Sequence, residues 1–87
     1  MQEILSFGKK TIASHKYTAG VAMIAEMTDT MYAVMAFDKN GWVITSRNFA
    51  FTENCKKDVM KECRGFYNFV KDCLSRKELN RIEDWDD

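Results

Sequence analysis

Proline is absent from this 87-residue chain, and glycine occurs only four times. With so few residues that break regular structure, long irregular loops are excluded and short turns are expected. Histidine occurs once, at His15, and no two of the three cysteines form a C-x-x-C pair. The ligand spacings of a structural zinc site are therefore missing. An odd cysteine count without framework spacing fits a reducing compartment better than a disulfide scaffold. Net charge is lacking as well, since thirteen Lys/Arg balance thirteen Asp/Glu. Residues 1–52 carry five and four of these, a balance of +1, and residues 53–87 carry eight and nine, a balance of −1. No global basic excess draws the protein to nucleic acid or to acidic lipid. The most apolar run, Ala19–Met27, is about half the ~20 residues a bilayer span needs. No secretory pattern opens the chain, and the expectation is a soluble, cytoplasmic protein.

Catalytic patterns are missing too. The sequence holds no G-x-G-x-x-G, P-loop, G-x-S-x-G or H-E-x-x-H pattern. Ser14 and His15 are adjacent, and neighbours on a strand point to opposite faces, so they cannot act as nucleophile and base. The reading is a non-enzymatic protein without a cofactor or metal.

What is present describes one globular domain spanning 1–87, with 46% hydrophobic and 30% charged residues. Thr11–Thr18, Gly20–Met27, Met31–Phe37 and Trp42–Phe51 read as strands, rich in β-branched and aromatic residues. Met1–Lys10 reads as a short helix stopping at Gly8, or as a lead-in. Thr28–Thr30 is a polar turn, and Asn40-Gly41 is a strong two-residue hairpin signal. That turn pairs Lys39 with Trp42 and therefore sets Phe37 opposite Ile44, Val34 opposite Arg47 and Tyr32 opposite Phe49. One hairpin face then carries Met31, Ala33, Met35, Phe37 and Ile44. The other carries Tyr32, Val34, Ala36, Val43, Phe49 and Phe51. Neither face is polar, so a helix covers one, and the other is covered by Met1–Lys10 or by another protein surface, a second copy included, or else exposes scattered apolar residues.

After Phe51 the period changes to that of a helix. At about 100° per residue, Cys55, Val59, Cys63, Phe66, Val70 and Cys73 fall within roughly 80° of arc. Met60, Tyr67 and Leu74 widen the arc on one side and Phe69 on the other. Thr52 or Asn54 is the expected N-cap. Within one helix Cys55 and Cys73 lie about 27 Å apart and Cys55 and Cys63 about 12 Å, so no pair shares an ion or a disulfide. The three read as small buried hydrophobes. Ser75-Arg-Lys-Glu78 has the capping-box form, and a short final helix is expected to start there with Leu79, Ile82 and Trp85 on one face. The fold class is α+β, with a three- or four-stranded antiparallel meander packed on one long C-terminal helix.

The polar side of the long helix is sorted by charge. Lys57, Lys61, Arg64, Asn68 and Lys71 step by four, three, four and three into one stripe, and Asp58, Glu62 and Asp72 form another. Favourable i,i+4 pairing does not explain the split. Lys57, Lys61 and Arg64 are therefore candidate contacts to a partner. The acidic end is the other candidate, with Asp84, Asp86 and Asp87 around Trp85 as a hot-spot anchor for a basic groove. A nucleic-acid alternative would use the basic stripe on phosphates, with Tyr32, Trp42 or Phe49 stacking bases. Acidic neighbours repel phosphate, which ranks a protein partner first.

The layout carried by "YAVMAFDKNGWVITSRNFAFTENCKKDVMKEC" resembles small phage-encoded inhibitors of bacterial defence systems, anti-CRISPR proteins among them. The resemblance is one of size and arrangement, covers about a third of the chain, and carries over no functional residue. It implies a non-enzymatic protein, often a homodimer, that occupies the surface of a larger protein or ribonucleoprotein complex in the host cytoplasm. The strands-then-helix order also resembles single-stranded-DNA-binding coactivator domains, which act as homodimers. Those have basic strands, whereas Val21 to Phe37 here contains no lysine or arginine.

Overall fold

A computed structural model of the protein describes residues 9–85, with side chains through Ile82. Four strands, β1 (Lys10–Tyr17), β2 (Gly20–Thr28), β3 (Met31–Asp38) and β4 (Val43–Ala50), form an antiparallel sheet in the order β1-β2-β3-β4. A single 3₁₀ turn, Glu53–Cys55, leads into α1 (Lys56–Ser75), and a short α2 (Leu79–Trp85) follows. The expected α+β meander with a long helix and a short final one is the observed architecture. None of the described helices is long and apolar enough to cross a membrane.

The helix covers one face of the sheet because its apolar residues recur at helical spacing. Cys63, Phe66, Tyr67, Val70, Cys73 and Leu74 are buried on α1. They pack with Ala22, Ile24, Tyr32, Val34, Ala36 and Phe51, and Ile82 of α2 closes the cluster. Cys55, Val59, Met60 and Phe69 lie at its margin, so the arc read from the sequence is the buried arc. Each large side chain removed from water here contributes roughly 1.5–3 kcal/mol. Met23, Ala25, Ala33, Met35 and Phe37 form a second apolar cluster on the opposite face. All five are buried. Of the segment proposed to cover it, Met1–Lys10, only Lys9 and Lys10 lie among the described residues. Lys9 pairs with Asp29 and, at 3.9 Å, with Glu26.

The β3–β4 hairpin keeps most of the expected register but not the expected turn. Tyr32 opposes Phe49 and Val34 opposes Arg47, whereas Phe37 opposes Val43. The loop is three residues long. Gly41 N–H donates to Asp38 O at 2.9 Å, Asp38 N–H donates to Trp42 O at 2.9 Å, and of the three loop residues Gly41 alone has positive φ, at 90°. This is a type I turn closed by a left-handed glycine, the standard three-residue hairpin loop. Asp38 selects it, because its carboxylate accepts from Asn40 N–H and Trp42 N–H at 2.9 and 3.0 Å. The extra loop residue is taken up by a bulge beside Phe37. That bulge moves Ile44 from the Phe37 face, where the sequence placed it, to the margin of the helix-side cluster, and leaves Val43 58% exposed.

The helix junction also differs from expectation. Ser75 is the last residue of α1 and does not cap α2. Glu78 N–H donates to Cys73 O at 2.7 Å and Lys77 N–H to Leu74 O at 3.2 Å, with Lys77 at φ 61°. These bonds make a Schellman C-cap with lysine in the position glycine usually holds. Leu79, expected on the buried face of α2, is 48% exposed, and Ile82 does the packing.

Candidate interaction surface

The outer side of α1 is positioned by the cap that starts the helix. Thr52 precedes the 3₁₀ turn in extended conformation, and its N–H donates to Cys55 Sγ at 3.2 Å. Cys55 is thus a half-buried turn residue and not part of the deep core. The Thr52 hydroxyl and then its backbone hold the Cys55 thiol below its ordinary pKa. Burial pushes the Cys63 thiol up to about 11 and raises that of Cys73. Among the described residues, no three His, Cys, Asp or Glu side chains are grouped to hold a metal.

From this start Lys57, Lys61, Arg64 and Asn68 are exposed along one line, and Asp58, Glu62 and Asp72 are exposed along another. Asp72 pairs with Arg76 at 3.2 Å. Lys71 is half-buried, its Nζ 5.1 Å from the centre of the Tyr67 ring. Lys57, Lys61, Arg64, Asp58 and Glu62 make no ion pair among the described residues. Like charges face each other at i,i+4, Lys57 with Lys61 and Asp58 with Glu62. Each such pair destabilises a helix by about 0.2–0.5 kcal/mol. Gly65 continues the line of Asp58 and Glu62, and a Cβ built on it meets nothing within 4 Å. Bare backbone at Gly65 thus interrupts the acidic line beside the unpaired charges of Asp58, Glu62, Lys61 and Arg64.

No protein-family model, curated protein or solved structure matches this chain.

The other residues singled out from the sequence fall elsewhere. Asp84 and Trp85 belong to the last turn of α2, while Asp86 and Asp87 lie outside the described residues. Of the three aromatics considered for base stacking, Tyr32 is 3% exposed and stacks on Phe51 with ring centres 4.5 Å apart. Phe49 is half-buried, 6.2 Å from Phe66. Trp42, at 73%, is exposed, but it sits on the hairpin loop and not on α1. Ser14 is exposed and the adjacent His15 half-buried, on opposite sides of β1.

One arrangement was not foreseen. The Arg47 guanidinium lies 5.3 Å from the centre of Phe49 and 5.5 Å from that of Phe66, and Arg81 lies 5.6 Å over Phe69. Cation–π packing of this kind fastens the β4 side of α1. The signal in the sequence was Arg47, the one charged residue of β4.

Proposed function

We propose that the protein is a non-enzymatic binding protein that inhibits or modulates a larger protein or ribonucleoprotein complex by occupying its surface through the outer side of α1. The observation that supports this reading is the charge arrangement. Lys57, Lys61 and Arg64 are exposed without ion pairs among the described residues, beside Asp58 and Glu62 in the same condition. No ion pair among the described residues rewards the sorting, and like-charge neighbours at i,i+4 cost the helix stability. A partner presenting acidic groups to the basic stripe and basic groups to the acidic one recovers that cost and fixes orientation. Trp85, with Asp84, Asp86 and Asp87, serves as a second contact in this reading. A phage counter-defence role is the biological setting that the size and layout suggest.

The test is affinity capture from the host with the intact protein and with a triple charge reversal, K57E/K61E/R64E. Retention of the same partner by the intact protein, unaffected by nuclease and lost in the triple variant, is expected. Equal retention by both proteins overturns the role of α1. Co-purifying nucleic acid, seen as a raised 260/280 absorbance ratio that falls in high salt, would favour the alternative of a single-stranded DNA- or RNA-binding module.

A further inference from the structure

The two edges of the sheet are built differently. β1 carries exposed Lys10 and Lys16 and a bulge between Thr11 and Ala13, devices that keep an edge from pairing with another strand. β4 has no proline and no lysine, and beyond the bulge at its start it runs in unbroken register from Thr45 to Ala50.

The hydrogen-bond phase of β4 shows which groups it offers. Phe51 N–H donates to Thr30 O at 2.9 Å, and bonded pairs recur at every second residue of an antiparallel ladder. Phe49, Arg47 and Thr45 therefore bond inward to β3, opposite Tyr32, Val34 and Ala36. Ser46, Asn48 and Ala50 direct their N–H and C=O away from the sheet. Their side chains are short and exposed, on the face opposite α1.

We infer that β4 pairs antiparallel with β4 of a second copy, joining two four-stranded sheets into one eight-stranded sheet about a two-fold axis at Asn48. One register bonds all three outward residues with one another. Asn48 meets Asn48 of the other copy, Ser46 meets Ala50, and Ala50 meets Ser46. Three bonded pairs at two bonds each give six backbone hydrogen bonds. The same register sets Arg47 across from Phe49 of the other copy on both sides of the axis, extending the guanidinium–ring contact present within one copy. Sliding it by two residues instead opposes Arg47 to Arg47 and breaks the Ala50 bonds. The long helix leaves room. α1 lies mainly over β2 and β3, about two strand spacings from the axis, so the two copies of α1 stand roughly 19 Å apart. This self-association does not depend on the partner site on α1 and can fail while that reading stands.

The experiment is light scattering or sedimentation over a dilution series. The intact protein is expected at twice the 10.1 kDa chain mass. Asn48→Pro removes the outward N–H and leaves the β3 ladder intact, since proline is tolerated where an edge N–H faces away. It is expected at the single-chain mass with an unchanged far-UV circular dichroism spectrum. Asn48→Lys and Asn48→Asp, which change only an exposed side chain, each oppose two like charges across the axis. Each alone is expected to be monomeric, and their mixture is expected to form a heterodimer. An intact protein that is monomeric at every concentration overturns the inference. So do charge variants that dimerise as the intact protein does, or a mixture that stays monomeric.

Discussion

Gly65→Ala is expected to stabilise the protein, and the structure sets the size of the effect. Position 65 lies in the middle of the 20-residue α1. Glycine in a helix interior is about 0.8–1.0 kcal/mol less favourable than alanine. That gain is realised in full only if the new methyl meets no obstacle, and a Cβ at 65 has nothing within 4 Å. The side chain is exposed, so almost no burial term adds to the propensity. With an unfolding entropy of about 2.1 cal/mol/K per residue, 87 residues give roughly 180 cal/mol/K, and 1 kcal/mol raises Tm by about 5 °C. Urea unfolding should show the same gain as a higher midpoint at unchanged slope. A neutral or destabilising result refutes the reasoning, because it means that the backbone at 65 is not held as an ordinary helix. The variant also reports on the partner surface. If a partner approaches that bare backbone, the added methyl weakens the complex while strengthening the fold.

Three further outcomes follow from backbone and burial. Lys77→Gly should stabilise by about 1 kcal/mol in urea unfolding, since lysine at φ 61° bears the left-handed penalty that glycine escapes. Gly20→Ala should cost about 3 kcal/mol, because its Cβ would stand 1.9 Å from the Phe37 carbonyl oxygen, which also accepts the Tyr17 hydroxyl at 2.8 Å, and such overpacking forces the backbone to shift. Stability should fall in alkali: burial, then nearby acidic charge, raises Cys63 from 9.0 to about 11 and Tyr17 from 10.0 to about 12. Both groups are favoured protonated in the folded state, so their contribution is whole below pH 9 and is lost through about 12. Urea midpoints across that range check this, and Tyr17→Phe should flatten the part above pH 10 while leaving the Cys63 part.

The fold was legible where one periodicity governs many residues. The arc from Cys55 to Cys73 needed no knowledge of the sheet, because helical spacing alone brings those residues to one side. The strand-pair register survived a wrong turn for a physical reason. The three-residue loop adds a residue and the bulge beside Phe37 absorbs it, so Val34 still meets Arg47. What failed was the local detail that depends on one side chain or one dihedral. The Asp38 carboxylate reaching two N–H groups outweighed the Asn-Gly preference for a two-residue turn. The Ser75 capping box failed because Ser75 is itself helical and the Schellman bonds of Lys77 and Glu78 close α1, so α2 starts only at Leu79.

The two proposed surfaces differ in legibility for the same reason. Charge sorting on α1 is a property of side chains at fixed angular steps, so Lys57, Lys61 and Arg64 could be named from spacing. Their lack of ion pairs could not, because Lys71 turning to Tyr67 and Asp72 turning to Arg76 are choices made in three dimensions. The open edge at β4 was further from reach. A two-residue turn closing on a bonded Lys39–Trp42 pair would have turned Ser46, Asn48 and Ala50 inward. The observed loop bonds Asp38 to Trp42, and beyond the bulge the bonded pairs fall on Thr45, Arg47, Phe49 and Phe51. From Thr45 to Ala50 the same side-chain partners are kept while the direction of the backbone groups is reversed. A strand's side-chain register and its hydrogen-bond phase are separate facts, and hydrophobic pattern reports only the first.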